Sequence, residues 1–234
     1  MAYYHDKLKQ IKNLCDVDFV KFNVSDTVTG FGAEATFRVV DDSDETVKLL
    51  SEWRDVHFNG FYDKFKVTEE RTKIWIHKQI LDLPDRILFM IILNGQKVGH
   101  MGTYRYDEHD NSAELDNILR GVRGSYPGLM VKGEIALSEL MFEHLKLSKV
   151  KVSMWSDNYK SVNLHASKLG CTVVDNRPFK RVFTDDGWKW EKTNLNSESE
   201  YGERYELLME ITPEQFYSLH KNKLQDIKIR SDLL

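Results

Sequence analysis

Seven consecutive apolar residues, Ile87–Leu93 (ILFMIIL), run directly into Asn94-Gly95 and then into KVGHMGTYRY. A strand with one wet face alternates apolar and polar side chains, so an unbroken apolar run marks a strand covered on both faces. Asn-Gly readily takes the left-handed angles of a two-residue hairpin, which returns the chain antiparallel alongside the first strand. Whatever else this chain does, it builds a sheet with a buried central hairpin.

The flanking residues supply the cover. A polar loop over 107–112 leads to a third strand at Ala113–Arg120. Upstream, Ala35–Val40 reads as a strand, and Asp42 or Ser43 can cap the helix that follows, with Asp44 and Glu45 well placed in its first turn. Val47, Leu50 and Trp53 give that helix one apolar face. An aromatic loop, His57–Phe65, leads to a second helix capped by Thr68. On it Ile74, Trp75, Lys78 and Leu81 share a face before Pro84-Asp85 ends it. Downstream come a helix from near Leu129, a strand Lys149–Trp155 with Val150, Val152 and Met154 inward, and a helix opened by Ser156-Asp157-Asn158. A long hairpin (Cys171–Thr184, a turn at Asp186-Gly187, Trp188–Trp190), a polar loop Asn194–Glu203 and a last strand Arg204–Ile211 follow, and Pro213 opens a C-terminal helix or tail. Residues 1–30 mix signals: Leu8, Ile11 and Leu14 are helically spaced, whereas Val17, Phe19 and Phe22 alternate. Strands and helices do not strictly alternate, so the expected class is α+β, a mixed and mostly antiparallel sheet with helices on both faces.

Composition narrows the functions. With 41% apolar residues, 30% charged residues and a formal charge of -4, the 234-residue chain can bury a sizeable core and offers no electrostatic argument for nucleic acid or an anionic membrane. No stretch approaches the ~18 apolar residues of a membrane span, and MAYYHDKLKQ lacks a signal peptide's apolar run. Cys15 and Cys171 have no metal-ligand spacing, so no metal is expected, and two thiols in a chain of this length suit a reduced, cytoplasmic protein.

The chemistry concentrates between Ala113 and Gly170. Glycines at 121, 124 and 128 allow a tight turn and close approach to a ligand, and the helix beyond would offer free amides and the positive end of its dipole to a phosphate. Arg120 and Arg123 add charge. On glycine spacing alone a plain strand-to-helix turn with solvated arginines explains the loop equally well, because it is neither a Walker loop nor G-x-G-x-x-G. Glu114 and Asp116, two apart on a strand, share a face and can act on each other's ionisation or hold a cationic group.

The succession VVDDSDETVKLLSEWRD, NGQKVGHMGTYRYD, AELDNILRG, PGLM and SDNYKSVNLHASKLG resembles the GNAT superfamily of acyl-CoA N-acyltransferases, over roughly residues 35–211. Within it, the branch that acetylates protein N-termini and amino sugars is the most similar. The resemblance implies a GNAT-like sheet with splayed fourth and fifth strands, an N-terminal extension at 1–34, an N-acetyltransferase domain at 35–211 and a C-terminal helix or tail at 212–234. It also implies acetyl-CoA as cosubstrate. Pyrophosphate would be held by Arg123, Gly124 and the backbone of Gly128, Leu129 and Met130, although Tyr126-Pro127 interrupts the family's loop pattern. Pantetheine would pair with the main chain of Asn117, Ile118 and Leu119, which also polarises the thioester oxygen. Asn158 would touch the cofactor arm, or simply cap its helix.

The family's acid, a tyrosine in many members, falls on His165 counting from Asn158 but on Ala166 counting back from Leu169-Gly170, because this helix is one residue longer. A histidine can donate a proton near neutral pH, and a half-buried helix histidine is the plainer reading. Glu114 or Asp116 would be the base, and His100 is read as structural. The acceptor is expected to be a primary amine on a small molecule, foremost a nucleotide-linked amino sugar, with protein N-termini or lysines as the alternative and a non-catalytic acyl-CoA sensor as a further one. His57, Asn59 and Asp63 of the aromatic loop, or Trp188 and Trp190, would wall the acceptor site, and the protein would be a monomer or homodimer.

Overall fold

The computed structural model describes residues 2–26, 30–58, 63–64, 66–122, 124, 126–184, 187–193 and 202–234. In chain order the elements are α1 (Ala2–Lys12), β1 (Val20–Asp26), β2 (Phe31–Val39), α2 (Asp44–Val56), β3 (Asp63–Lys64), α3 (Glu69–Ile76), β4 (Ile87–Leu93), β5 (Gln96–Asp107) and β6 (Ser112–Arg120). Then come α4 (Leu129–Glu139), β7 (Lys149–Trp155), α5 (Tyr159–Asn163), β8 (Thr172–Thr184), β9 (Gly187–Lys192), β10 (Arg204–Ile211), α6 (Pro213–Leu224) and β11 (Ile227–Ile229). Wide π turns continue α3 over His77–Leu81, α4 over Leu140–His144 and α5 over Leu164–Leu169.

All strands join one sheet in the order β11-β1-β2-β4-β5-β6-β7-β10-β8-β9-β3. Every neighbouring pair is antiparallel except β6 and β7. Strand β4 explains its own apolarity: Ile87, Phe89, Ile91 and Leu93 enter the larger core, while Leu88 and Met90 enter a second core on the opposite face with α2 and α3. The segment expected as an extension at 1–34 contributes Tyr4, Leu8, Ile11, Phe19 and Phe22 to the larger core, and β1 pairs with β2 along its length.

Helix starts follow side-chain chemistry. Ser43 Oγ accepts from Thr46 N at 3.3 Å, Thr68 Oγ1 accepts from Arg71 N at 3.2 Å, and Thr212 and Gln215 form a reciprocal capping box. One face assignment changes. Ile74 is 48% exposed, and α3 instead buries Thr72, Ile76 and, through the π turn, Ile80. Thr72, Ile76 and Ile80 follow at four-residue spacing, and Trp75 and Leu81 still pack partly buried against the second core.

Two irregularities position the site. The ladder between β6 and β7 covers only Ser112–Leu115 against Lys149–Val152, after which the strands part. Within β6, Asp116 faces Gly102 and Leu119 faces His100, so Asn117 and Ile118 together oppose Met101 in a bulge, with Asn117 at φ 48°. Asparagine tolerates this left-handed conformation better than most residues. The bulge flips the strand's parity. Leu115 enters the larger core and Leu119 the second one, although four residues apart in a regular strand they would face the same way.

Candidate active site

Where β6 and β7 part, a cavity of about 420 Å³ opens, lined by the edge of β6 from Leu115 to Ile118, by Val152–Trp155 of β7, and by Met130, Glu134, Asn158, Ser161 and His165. The bulge that faces it is locked from behind. His100 is buried, its Nδ1–H donates to the Asn117 carbonyl at 2.7 Å, and its ring stacks on Trp53 at 6.1 Å. Burial pushes the His100 imidazole down to about 4, against the opposing pull of that bond. Gly121 completes the brace: a Cβ there would lie 2.1 Å from the Trp53 ring, so this glycine serves close packing rather than ligand approach.

At the upper end of the cavity, Gly128 adopts φ 76° and stands as N-cap of α4 without a side-chain cap. Nothing lies within 4 Å of where its Cβ would be. Leu129 N–H is spent on the Tyr126 carbonyl at 3.2 Å, whereas the amides of Met130 and Val131 meet no acceptor among the described residues. Arg120 donates to the carbonyls of Val122, at 3.2 Å, and Gly124, and so braces the loop. Arg123 lies outside the described residues. At the α5 start, Asn158 Oδ1 accepts from Ser161 N at 3.3 Å, while Asp157 is paired with Arg204 at 2.8 Å. Asn158 is therefore the cap, and it lines the cavity as well.

In the π turn that continues α5, His165 is 3% exposed and lines the cavity, whereas Ala166 is exposed. His165 Nδ1–H donates to the Ser161 carbonyl at 2.8 Å, and Nε2 lies 2.9 Å from Oε2 of Glu134. Burial opposes charge on this ring, but the Glu134 carboxylate overrides it and holds the imidazole above its ordinary value. Glu134 itself was not legible as a site residue, because α4 also carries Lys132 and Glu139 and nothing in the sequence tells the buried one of these charges from the others.

A second cavity, of about 730 Å³, lies on the α2–α3 side and meets the first at Tyr104, Asp116 and Asn117, which line both. Asp116 is ion-paired with Arg86, and the Arg86 and Arg105 guanidiniums lie 5.0 and 4.5 Å from the centre of the Tyr104 ring. Burial, then the carboxylates of Glu114 and Asp116, push the Tyr104 phenol up. Glu114 shares the sheet face of Asp116 but stands apart, accepting from Ser153 Oγ at 3.0 Å and lining a third cavity with Arg105 and Lys151. Arg177 donates to the buried Glu206 at 3.2 Å, and Phe179 and Trp190 form the far wall. In this wall cations predominate: Arg54, Arg86, Arg105, Arg177 and Lys192 against Asp116 and Glu206. Sequence reasoning reached Trp190 but missed Arg86, Tyr104, Arg177 and Glu206. Of the aromatic loop, residues 59–62 and 65 fall outside the described residues.

Parted parallel strands thus stand beside a helix N-terminus that has no side-chain cap. A family model described as an acetyltransferase (GNAT) domain matches residues 35–172. The chain belongs to the GNAT acetyltransferases. As such it is an acyl-CoA-dependent N-acetyltransferase, and the family implies acetyl-CoA as its cosubstrate. The GNAT fold is also shared with solved structures of low identity. A nucleotide-linked sugar GNAT, FdhC, is 14% identical with a TM-score of 0.58, over 88% of this chain and 98% of that one. A spermidine/spermine N-acetyltransferase, SpeG, from Vibrio cholerae is 13% identical with a TM-score of 0.57, over 79% and 96%. An uncharacterized protein from Bacillus halodurans is 16% identical with a TM-score of 0.58, over 90% and 100%. No curated protein matches the chain in sequence. No helix among the described residues is long and apolar enough to cross a membrane, and no cluster there could hold a metal ion.

Proposed function

We propose that this GNAT enzyme acetylates the primary amine of a nucleotide-linked amino sugar. The observation that carries this reading is the cationic wall of the second cavity, which suits an acceptor bearing phosphate and repels a polyamine. Trp190 and Phe179 add aromatic faces for a planar base or a sugar ring. The nucleotide-linked sugar acceptor of one structural neighbour is consistent with this, and the polyamine acceptor of another is not.

The residues divide the work. The bulged edge of β6, Asn117 to Leu119, pairs with the pantetheine arm, and Gly124 with the start of α4, Gly128 to Val131, cradles the pyrophosphate. The thioester of acetyl-CoA supplies an activated carbonyl. Asp116, at the junction of the two cavities, takes the proton of the acceptor's ammonium directly or through water, and Arg86 holds that carboxylate in place. Glu114, set back in its own pocket, orients its neighbours electrostatically.

The test is thiol release from acetyl-CoA across nucleotide-linked 3-amino and 4-amino sugars, polyamines and peptides with free N-termini or lysines. Turnover of the nucleotide sugars in preference to the rest is the expected result. Turnover confined to peptides would move the acceptor to protein amines, and turnover confined to polyamines would overturn the electrostatic argument.

A further inference from the structure

Glu134 has no exposed surface, yet it borders the acyl-CoA cavity with a carboxylate that, among the described residues, meets one cation and no aligned hydrogen-bond donor. Its Oε2 lies 2.9 Å from His165 Nε2, an ion pair without hydrogen-bond alignment, and Oε1 meets no donor among the described residues. A buried carboxylate is destabilising unless a well-placed partner offsets its lost hydration. The surrounding groups are a thiol, Cys171, pushed up to about 12 by burial and then by Glu134, and Lys160, which lines the same cavity. On the other side of the ring, Nδ1 reaches the Ser161 carbonyl at 2.8 Å and the Ser161 hydroxyl at 3.3 Å, and that serine too lines the cavity. Both ring nitrogens thus face acceptors, the arrangement an imidazolium requires.

We infer that Glu134 is a positioning residue that keeps His165 as the imidazolium, and that this proton, relayed by Ser161 Oγ, is given to the departing thiolate of coenzyme A. The inference rests on the acetyl-transfer reading above. As the acceptor nitrogen bonds to the acetyl carbon, the C–S bond breaks and its electron pair stays on sulfur. The thiolate takes the Ser161 hydroxyl proton, and Ser161 Oγ takes the Nδ1 proton of His165. A neutral imidazole remains, its Nε2 still 2.9 Å from Glu134 Oε2. The acceptor nitrogen gives up two protons, one to Asp116 before attack and one to solvent as the tetrahedral intermediate collapses, and the neutral imidazole takes a proton back from solvent through Ser161 Oγ, so charge balances across the turnover.

The experiment compares the wild-type protein with Glu134→Gln and His165→Gln. In the protein alone, NMR titration of the His165 imidazole is expected above its ordinary value in the wild type and about one pH unit or more lower in Glu134→Gln, where burial acts unopposed. The alkaline limb of kcat against pH follows it downward in Glu134→Gln and vanishes in His165→Gln, with kcat near pH 8 reduced on the order of tenfold. An acetyl thioester of an acidic aryl thiol, whose thiolate leaves without a proton, erases both deficits. Unchanged thermal stabilisation by coenzyme A certifies that the variants are folded. A limb that stays put in both variants, or a deficit equally large on the aryl thioester, overturns the proposal. A wild type silent on every amine sinks the acceptor reading instead, and the same limb is then read in slow hydrolysis of acetyl-CoA by water.

Discussion

His100 and His165 carry the same side chain at nearly the same depth, and their neighbours drive them in opposite directions. His100 meets a carbonyl and an indole but no carboxylate, so burial wins and its pKa falls to about 4. His165 meets Glu134, and the carboxylate wins. The stability consequence for His100 has a definite sign. The unfolded chain takes up this proton near the ordinary 6.5 and the folded chain only near 4, so unfolding becomes easier as the pH falls through that window. The loss at its lower end is on the order of 3 kcal/mol. Urea unfolding at pH 7 and pH 4.5 is expected to show a smaller drop in His100→Gln than in the wild type, because the amide does not titrate. An identical drop in both would mean that other groups set the acid limb. Neither behaviour is legible in the sequence, where GHMG and LHAS look equally ordinary.

At the scale of elements, the uncapped start of α4 matters most. A Ser, Thr, Asp or Asn would normally satisfy these amides, and Gly128 leaves them for a ligand. Gly128→Asp meets open space but strains the left-handed backbone, so Gly128→Asn, equally strained and uncharged, is its control. Acetyl-CoA affinity is expected to weaken about tenfold or more, since a carboxylate would both occupy the amides and repel the pyrophosphate. Calorimetric titration measures it, and an undiminished affinity would place the pyrophosphate elsewhere. The helices and strands around this loop were readable from caps, the Asn-Gly turn and apolar periodicity. The three π turns were not, because an added residue in a helix shifts the apolar pattern without announcing where the ladder widens. In α5 that uncertainty fell between His165 and Ala166.

For the whole molecule the formal charge is -4, yet the described lining of the second cavity collects five cations against two carboxylates. Net charge averages over the surface, whereas a cleft takes its character from the few side chains that four or five distant segments turn toward it. Raising the ionic strength is therefore expected to increase the KM of a nucleotide-linked acceptor several-fold, with a smaller effect on the turnover number, because screening weakens exposed charge pairs beyond a Debye length of about 8 Å at physiological salt. Steady-state kinetics at low and high salt check this. A salt-independent KM would assign the cationic wall to fold stability alone.

What the sequence by itself determined is local or periodic: the two-faced strand Ile87–Leu93 and its hairpin, the cap at Thr68 and the cap at Asp42 or Ser43, and the order of elements that resembles the family. Those features depend on backbone angles and on neighbours within a few positions, which a single chain writes directly. Tertiary structure alone decided that Asp116 rather than Glu114 stands where the two cavities meet, and that Glu134 lies beneath His165. It also decided that arginines from α2, β5 and β8 converge with Arg86 on the wall of the second cavity. Each of these depends on a bulge, a widened turn or the parting of two strands, and such irregularities arise from packing between segments far apart in the chain.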